Sequence, residues 1–203
     1  MKEPLLSVLI SLEDKQEKQI EKVIDSIINS TYKNIELIVV ASTESKVLDT
    51  YVDLYDNVSV TISDNSDSIL ELARIALKQA NGHYISFLTS HERVSCDFYR
   101  TMVQRGISSE SNLVMGEHLF IDNENIQYPL YAHNRLLDLN LDEDVCKEFL
   151  LKQSGFDFSL FYTFNKILSK SLLAIILEKL ENISTTTNFA LSYIFNVLAF
   201  YHT

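Results

Sequence analysis

The feature that most constrains this chain is an alternation of two hydrophobic periods through its first half. Leu5–Ile10 and Ile35–Val40 are short, almost wholly apolar runs. Such runs have no polar face to offer water, so they read as strands covered on both sides. Between them Ile20, Val23, Ile24, Ile27 and Ile28 recur at helical spacing, while Glu, Lys, Gln and Asp fill the other positions. One apolar stripe opposite a charged face is the mark of a helix lying on a sheet. The alternation then repeats. Lys46–Tyr55 reads as a helix and Val58–Ile62 as a β-branched strand. Ile69, Leu72, Ala73, Ala76, Leu77 and Ala80 make one face of a further helix, with Asp67 or Ser68 expected to cap it and Gly82 to stop it. Tyr84–Leu88 is the fourth strand. Strands that alternate with helices require right-handed crossovers, so the expected fold class is α/β with a mostly parallel sheet flanked by helices.

Past about residue 105 the rhythm changes. Asn112–Ile121 reads as a strand, with Ile126–Pro129 pairing to it across the polar Asp122-Asn123-Glu124-Asn125 turn. Leu141–Gln153 reads as a helix with Asp142, Glu143 and Asp144 in its first turn, where negative charge is favourable. Phe156–Phe164 is aromatic-rich and expected to be extended. Helices at about Ser169–Leu180 and Thr187–Tyr201 close the chain. No repeat and no Pro/Gly-rich linker interrupts it. The expected organisation is one compact domain with two halves, 1–105 and a smaller, mixed 106–203.

With 203 residues, 46% of them apolar, the chain can bury a sizeable core. A net charge of −11 excludes a general nucleic-acid or anionic-membrane surface, though not a local nucleotide pocket. Only four glycines are present, and no glycine-rich phosphate loop is among them. Cys96 and Cys146 are far apart and in no metal-ligand spacing, so they read as reduced thiols. No signal peptide is visible at the first residues. The longest apolar stretch, Phe189–Tyr201, falls short of the roughly 20 residues of a spanning helix and carries Ser192 and Asn196 on one stripe. The expectation is a cytoplasmic protein without a transmembrane segment.

Leu6-Ser7-Val8-Leu9-Ile10, followed by the block from Val23 to Val40 (VIDSIINSTYKNIELIVV), resembles the family-2 glycosyltransferases. Those proteins commonly read close to SVIIPTYN and then AIDSILNQTYKNIELIVVDDGSTD. Leu72–Tyr84, ending in Ala80-Asn81-Gly82-His83-Tyr84, looks like the family's ARNxGlxxAxGEY stretch. Phe164-Asn165-Lys166-Ile167-Leu168 is similar to its WNKLF stretch. The match is good over residues 4–92 and loose over 155–200. The resemblance implies a nucleotide-binding α/β fold of the GT-A type and glycosyl transfer from a nucleotide-sugar in bacterial-type glycan or cell-wall polymer synthesis. It also implies acidic residues after strand two for the base and ribose, an acidic triplet after strand four for a divalent cation, and a carboxylate base opening a late helix.

This chain departs from that pattern at each chemical position. Ala41 and Ser42 stand where the acids after strand two belong, with Glu44 two residues on. Asp14, beside Glu13, falls where the family often has Asn. Strand four runs into Thr89-Ser90-His91-Glu92, although a hard cation prefers carboxylate oxygens. The late stretch Thr185-Thr186-Thr187-Asn188-Phe189 contains no acid, and Thr and Asn are not bases near neutral pH. The candidate substrate-binding residues are therefore Asp14, Ser42, Glu44, Asn65, His91 and Glu92, with no catalytic residue and no metal ligand assigned. His91 reads first as a surface histidine, with a proton-transfer role as the alternative. The aromatic set Tyr128, Tyr131, Phe156, Phe158, Phe161 and Tyr162 reads as sugar-stacking or as core. Three functions stay open: a degenerate glycosyltransferase-like domain used for binding or assembly, an active transferase with rearranged ligands, and a protein-interaction module with no sugar ligand. No cofactor is expected, manganese or magnesium entering only with the active alternative. The expected partners are a nucleotide-sugar and other domains of a longer chain from which this domain is excised.

Overall fold

The computed structural model describes residues 3–12, 17–116, 119–121, 127–129, 163–181 and 194–199. In chain order the elements are β1 (Leu6–Leu12), α1 (Glu17–Ile28), β2 (Ile35–Ala41), α2 (Lys46–Leu54), β3 (Val58–Ile62), α3 (Ile69–Gln79), β4 (Tyr84–Thr89) and α4 (Phe98–Ser108). They continue with β5 (Leu113–Met115), β6 (Leu119–Ile121), β7 (Gln127–Pro129), β8 (Lys166–Ser169) and α5 (Lys170–Glu181). Residues 194–199 are helical.

Six strands form one sheet in the order β3-β2-β1-β4-β8-β5. The β3, β2, β1 and β4 strands are parallel, with Leu6 opposite both Ile35 and Tyr84. The β8 strand lies antiparallel between β4 and β5. A separate antiparallel pair joins β6 to β7, with Phe120 opposite Tyr128. The α/β architecture expected from the alternating periods is therefore present.

Both faces of the sheet are covered, and the side chains sort accordingly. Leu6, Val8, Ile10 and Leu12 of β1 pack with the α1 stripe, Ile20, Val23, Ile24 and Ile27, and with Tyr99, Met102 and Val103 of α4. Leu9 of β1, Ile38 and Val40 of β2 and Phe87 of β4 pack on the other side, against Leu72, Ala73 and Ala76 of α3 and Leu173 and Ile176 of α5. Every residue of β1 is buried, which is why its sequence shows no polar alternation.

Several elements differ from the sequence reading. Asn112–Ile121 is two strands, because the chain leaves the main sheet after Met115 and pairs elsewhere from Leu119. Ser68 precedes α3, but its side chain makes no capping bond. Gly82 is not a left-handed stop, since no glycine among the described residues has positive φ. It is required by a close approach: a Cβ there would lie 2.3 Å from Ser7 Oγ and 2.6 Å from Ser7 N. The expected helix at Leu141–Gln153 lies outside the described residues, as does most of the Phe156–Phe164 stretch.

At the amino ends of the parallel strands, Glu36 ties three of them together. Its carboxylate accepts from Ser7 Oγ at 2.5 Å, from Asn81 N at 2.5 Å and from Gly82 N at 3.1 Å. Gly82 N also donates to Ser7 Oγ at 2.8 Å.

Candidate functional site

From β1 the chain crosses to β2 and then β3 on one side, and returns to β4 on the other side of β1. In open α/β sheets the crevice outside the carboxyl ends of the strands, at such a reversal, is where ligands bind. Here that point lies between β1 and β4, where Ser11 faces Thr89. Among the described residues, its rim is made by those that follow β2, β3 and β4.

After β2, Ala41 is buried, Ser42 is half-buried and Glu44 is exposed. Ser45 is committed to α2, whose Val47 N donates to its Oγ at 3.2 Å. After β3, Asn65 is exposed, while buried Ser66 donates to the Leu12 carbonyl at 3.2 Å and fastens this loop to the end of β1. After β4, His91 and Arg93 are exposed and Glu92 is half-buried. The six candidates divide accordingly. Ser42, Glu44, Asn65, His91 and Glu92 share the carboxyl-end rim, and Asp14 lies outside the described residues.

Glu92 folds back on the strand that precedes it. Its carboxylate accepts from Thr89 N at 2.5 Å and from the Thr89 hydroxyl, and Glu92 N donates to Thr89 O at 3.3 Å. Burial pushes its carboxyl above the ordinary value, and the Thr89 bonds and the nearby His91 recover only part of that. One oxygen of this carboxylate, Oε2, is thus engaged by the protein, in a turn that the residue closes itself. Among the described residues, no group of three or more His, Cys, Asp or Glu comes together to hold a metal ion. The described residues at the end of β4 therefore do not fit a divalent cation held by carboxylates.

Two features of the rim went unread in the sequence. Arg93 follows Glu92 directly and is exposed. Alongside β4, the antiparallel β8 carries Lys166, only 1% exposed, toward the same end of the sheet. Lys166 Nζ donates to Asn165 Oδ1 at 2.8 Å, and Asn165 Nδ2 donates to the Gly116 carbonyl at 3.1 Å. The Asn165-Lys166 pair of the WNKLF-like stretch thus clamps β5 and β8 behind the rim. The late stretch Thr185–Phe189 and the remaining aromatic candidates lie outside the described residues.

A mostly parallel sheet with its reversal between β1 and β4 agrees with the GT-A type of α/β domain that the sequence resemblance implies. The family model for glycosyl transferase family 2 matches residues 7–174, and the chain belongs to that family. It is 24% identical over 155 residues to the glycosyltransferase GlyG of Streptococcus pneumoniae, covering 74% of this chain and 50% of the relative. It is 27% identical over 144 residues to an uncharacterized glycosyltransferase of Haemophilus influenzae, covering 68% of this chain and 56% of the relative. Among solved structures, S. aureus TarS 1-349 in complex with UDP superposes with a TM-score of 0.63 at 17% identity, covering 95% of this chain and 54% of that one. The mannosyltransferase PcManGT from Pyrobaculum calidifontis, in complex with GDP-Man and Mn2+, gives 0.57 at 10% identity, covering 87% and 47%. At such identities the structures speak for the fold alone. The chain spans about half the length of these relatives. Among the described residues no helix is long and apolar enough to cross a membrane.

Proposed function

We propose that this domain binds a nucleotide-sugar, or the nucleotide diphosphate derived from it, in the crevice between β1 and β4. We place that role in glycan or cell-wall polymer synthesis, with sugar transfer weak or absent. Family membership and the UDP and UDP-GlcNAc complexes of the TarS structures support the ligand class. One observation carries the loss of transfer. Glu92, the sole carboxylate in the Thr89–Glu92 segment, is turned onto Thr89. A metal-dependent transferase would need carboxylate oxygens directed at a cation on the diphosphate. The residues at the late-helix position, Thr185–Asn188, offer no base.

Titration of UDP, CDP and GDP with and without manganese, followed by a turnover assay on whichever nucleotide-sugar corresponds to the binder, tests the reading. Binding of one nucleotide without turnover is the expected result. Robust transfer would instead mean an active enzyme with rearranged ligands. Absence of binding to all three would mean a protein-interaction module.

A further inference from the structure

We infer that His91 and Arg93 form an anion-binding pair that takes the diphosphate of the nucleotide directly, without a bridging divalent cation; this rests on the nucleotide-binding reading above. The Thr89–Arg93 segment divides its charges by exposure. Glu92 is turned inward onto Thr89, while His91 and Arg93, at alternate positions, are exposed on the rim of the crevice. The segment is held at several points. His91 N donates to Thr89 Oγ1 at 3.3 Å, and Val94 N donates to Ser26 Oγ of α1 at 3.3 Å. The two cation-capable side chains are thus carried on a fastened turn rather than a free loop.

A diphosphate in a crevice needs positive charge close to its oxygens. Either a metal ion supplies it, or side chains do. An arginine fork matches two phosphate oxygens, and an imidazole N–H adds a further donor. The bonds to Thr89 hold Glu92, the one acidic side chain of this segment, back on the end of β4, and burial disfavours its charged form. The exposed acids Glu44, Asp64 and Asp67 stand on the loops after β2 and β3. At normal strand spacing these loops are two and three strands from β4, on the order of 10–15 Å away. That is at or beyond the roughly 8 Å screening length of physiological salt, so these acids weaken the pair little.

The test uses UDP and inorganic pyrophosphate as probes on the whole chain, each measured by calorimetry in EDTA and in manganese. UDP binding should be equally tight in both buffers. Replacing both residues, His91→Ala with Arg93→Ala, should weaken UDP and pyrophosphate by about ten-fold or more, the loss of charge-assisted hydrogen bonds. The thermal unfolding curve of that variant should match the parent, because both side chains are exposed. UDP binding that requires manganese, or that survives the double substitution, overturns the inference and leaves the nucleotide reading intact. Pyrophosphate binding that the double substitution abolishes, in a chain with no affinity for UDP, CDP or GDP, upholds the anion pair and overturns the nucleotide reading instead.

Discussion

Glu36 and Glu92 carry the same side chain at opposite ends of the sheet, with opposite electrostatic consequences. Burial pushes the Glu36 carboxyl up, but the bonds from Ser7, Asn81 and Gly82 outweigh it and hold the group below its ordinary value. A depressed native value means that its stabilisation is fully present above the unfolded pKa and is lost as pH falls through the folded one. Glu36→Ala should cost about 1–3 kcal/mol at neutral pH, the worth of hydrogen bonds to a charged group. The gap to wild type should shrink in acid, as read by urea titrations at both pH values. For Glu92 burial dominates, and the native value is raised. The folded protein then holds the proton more tightly than the unfolded chain, so stability falls as pH rises through the interval between the two pKa values. Glu92→Gln keeps an acceptor for Thr89 without the buried charge. It should be at least as stable as wild type at neutral pH, and its advantage should vanish in acid; a clear loss at neutral pH would contradict this. The identity of Glu92 as the nearby carboxylate was legible in the sequence. Its direction was not, because a residue three positions beyond Thr89 can project into the crevice or close the turn. Arg93 has no place in a metal-ligand pattern, and only the inward turn of Glu92 gives it significance.

At the scale of elements, legibility followed how cleanly burial is written into the residues. Ile20, Val23, Ile24 and Ile27 form an uninterrupted stripe, and all four are buried against the sheet. Ile24 is 0% exposed, so Ile24→Ala should cost about 2–5 kcal/mol in a denaturant titration. A loss that is a small fraction of that would mean that the core relaxes around the missing methyls. The α4 helix escaped reading because its stripe, Tyr99, Met102, Val103 and Gly106, puts a glycine where a large apolar residue is expected. The structure gives the reason for that glycine. A Cβ at Gly106 would lie 2.6 Å from the Tyr84 hydroxyl, so a bare backbone is what lets α4 approach β4. The β8 strand escaped for another reason. Its four residues are all buried, yet they include Lys166 and Ser169, which interrupt any apolar run. Ser169 also serves the helix that follows, accepting from Leu172 N at 3.2 Å, so its residue type reads as a helix cap rather than a strand end.

At the scale of the molecule, the chain returns to its own sheet late. The β8 strand, more than seventy residues after β4 in sequence, covers the β4 edge and carries β5 beyond it. No shift in composition announces this re-entry, because strand pairing across a long separation is decided by geometry rather than by local pattern. Its energetic weight can be set against the stability of a domain. The α5 helix that follows β8 buries Leu172, Leu173, Ile176, Leu177 and Leu180. At about 1.5–3 kcal/mol for each such side chain, their burial contributes on the order of 7–15 kcal/mol before entropy is counted. That is as large as the whole net stability of an ordinary domain, about 5–15 kcal/mol. A fragment ending at Gly116 keeps β1 to β4 with α1 to α4, but loses α5 and β8, the strand that holds β5. It would expose the part of the α3 side that α5 covers and leave one edge of β4 with unpaired backbone groups, which is a template for association. Such a fragment should show no cooperative urea transition and should elute as oligomers in size-exclusion chromatography. A monomeric fragment that unfolds in one sharp step would mean that the parallel strands and the helices α1 to α4 on their two faces are self-sufficient, and that β8 is an addition to a fold already complete.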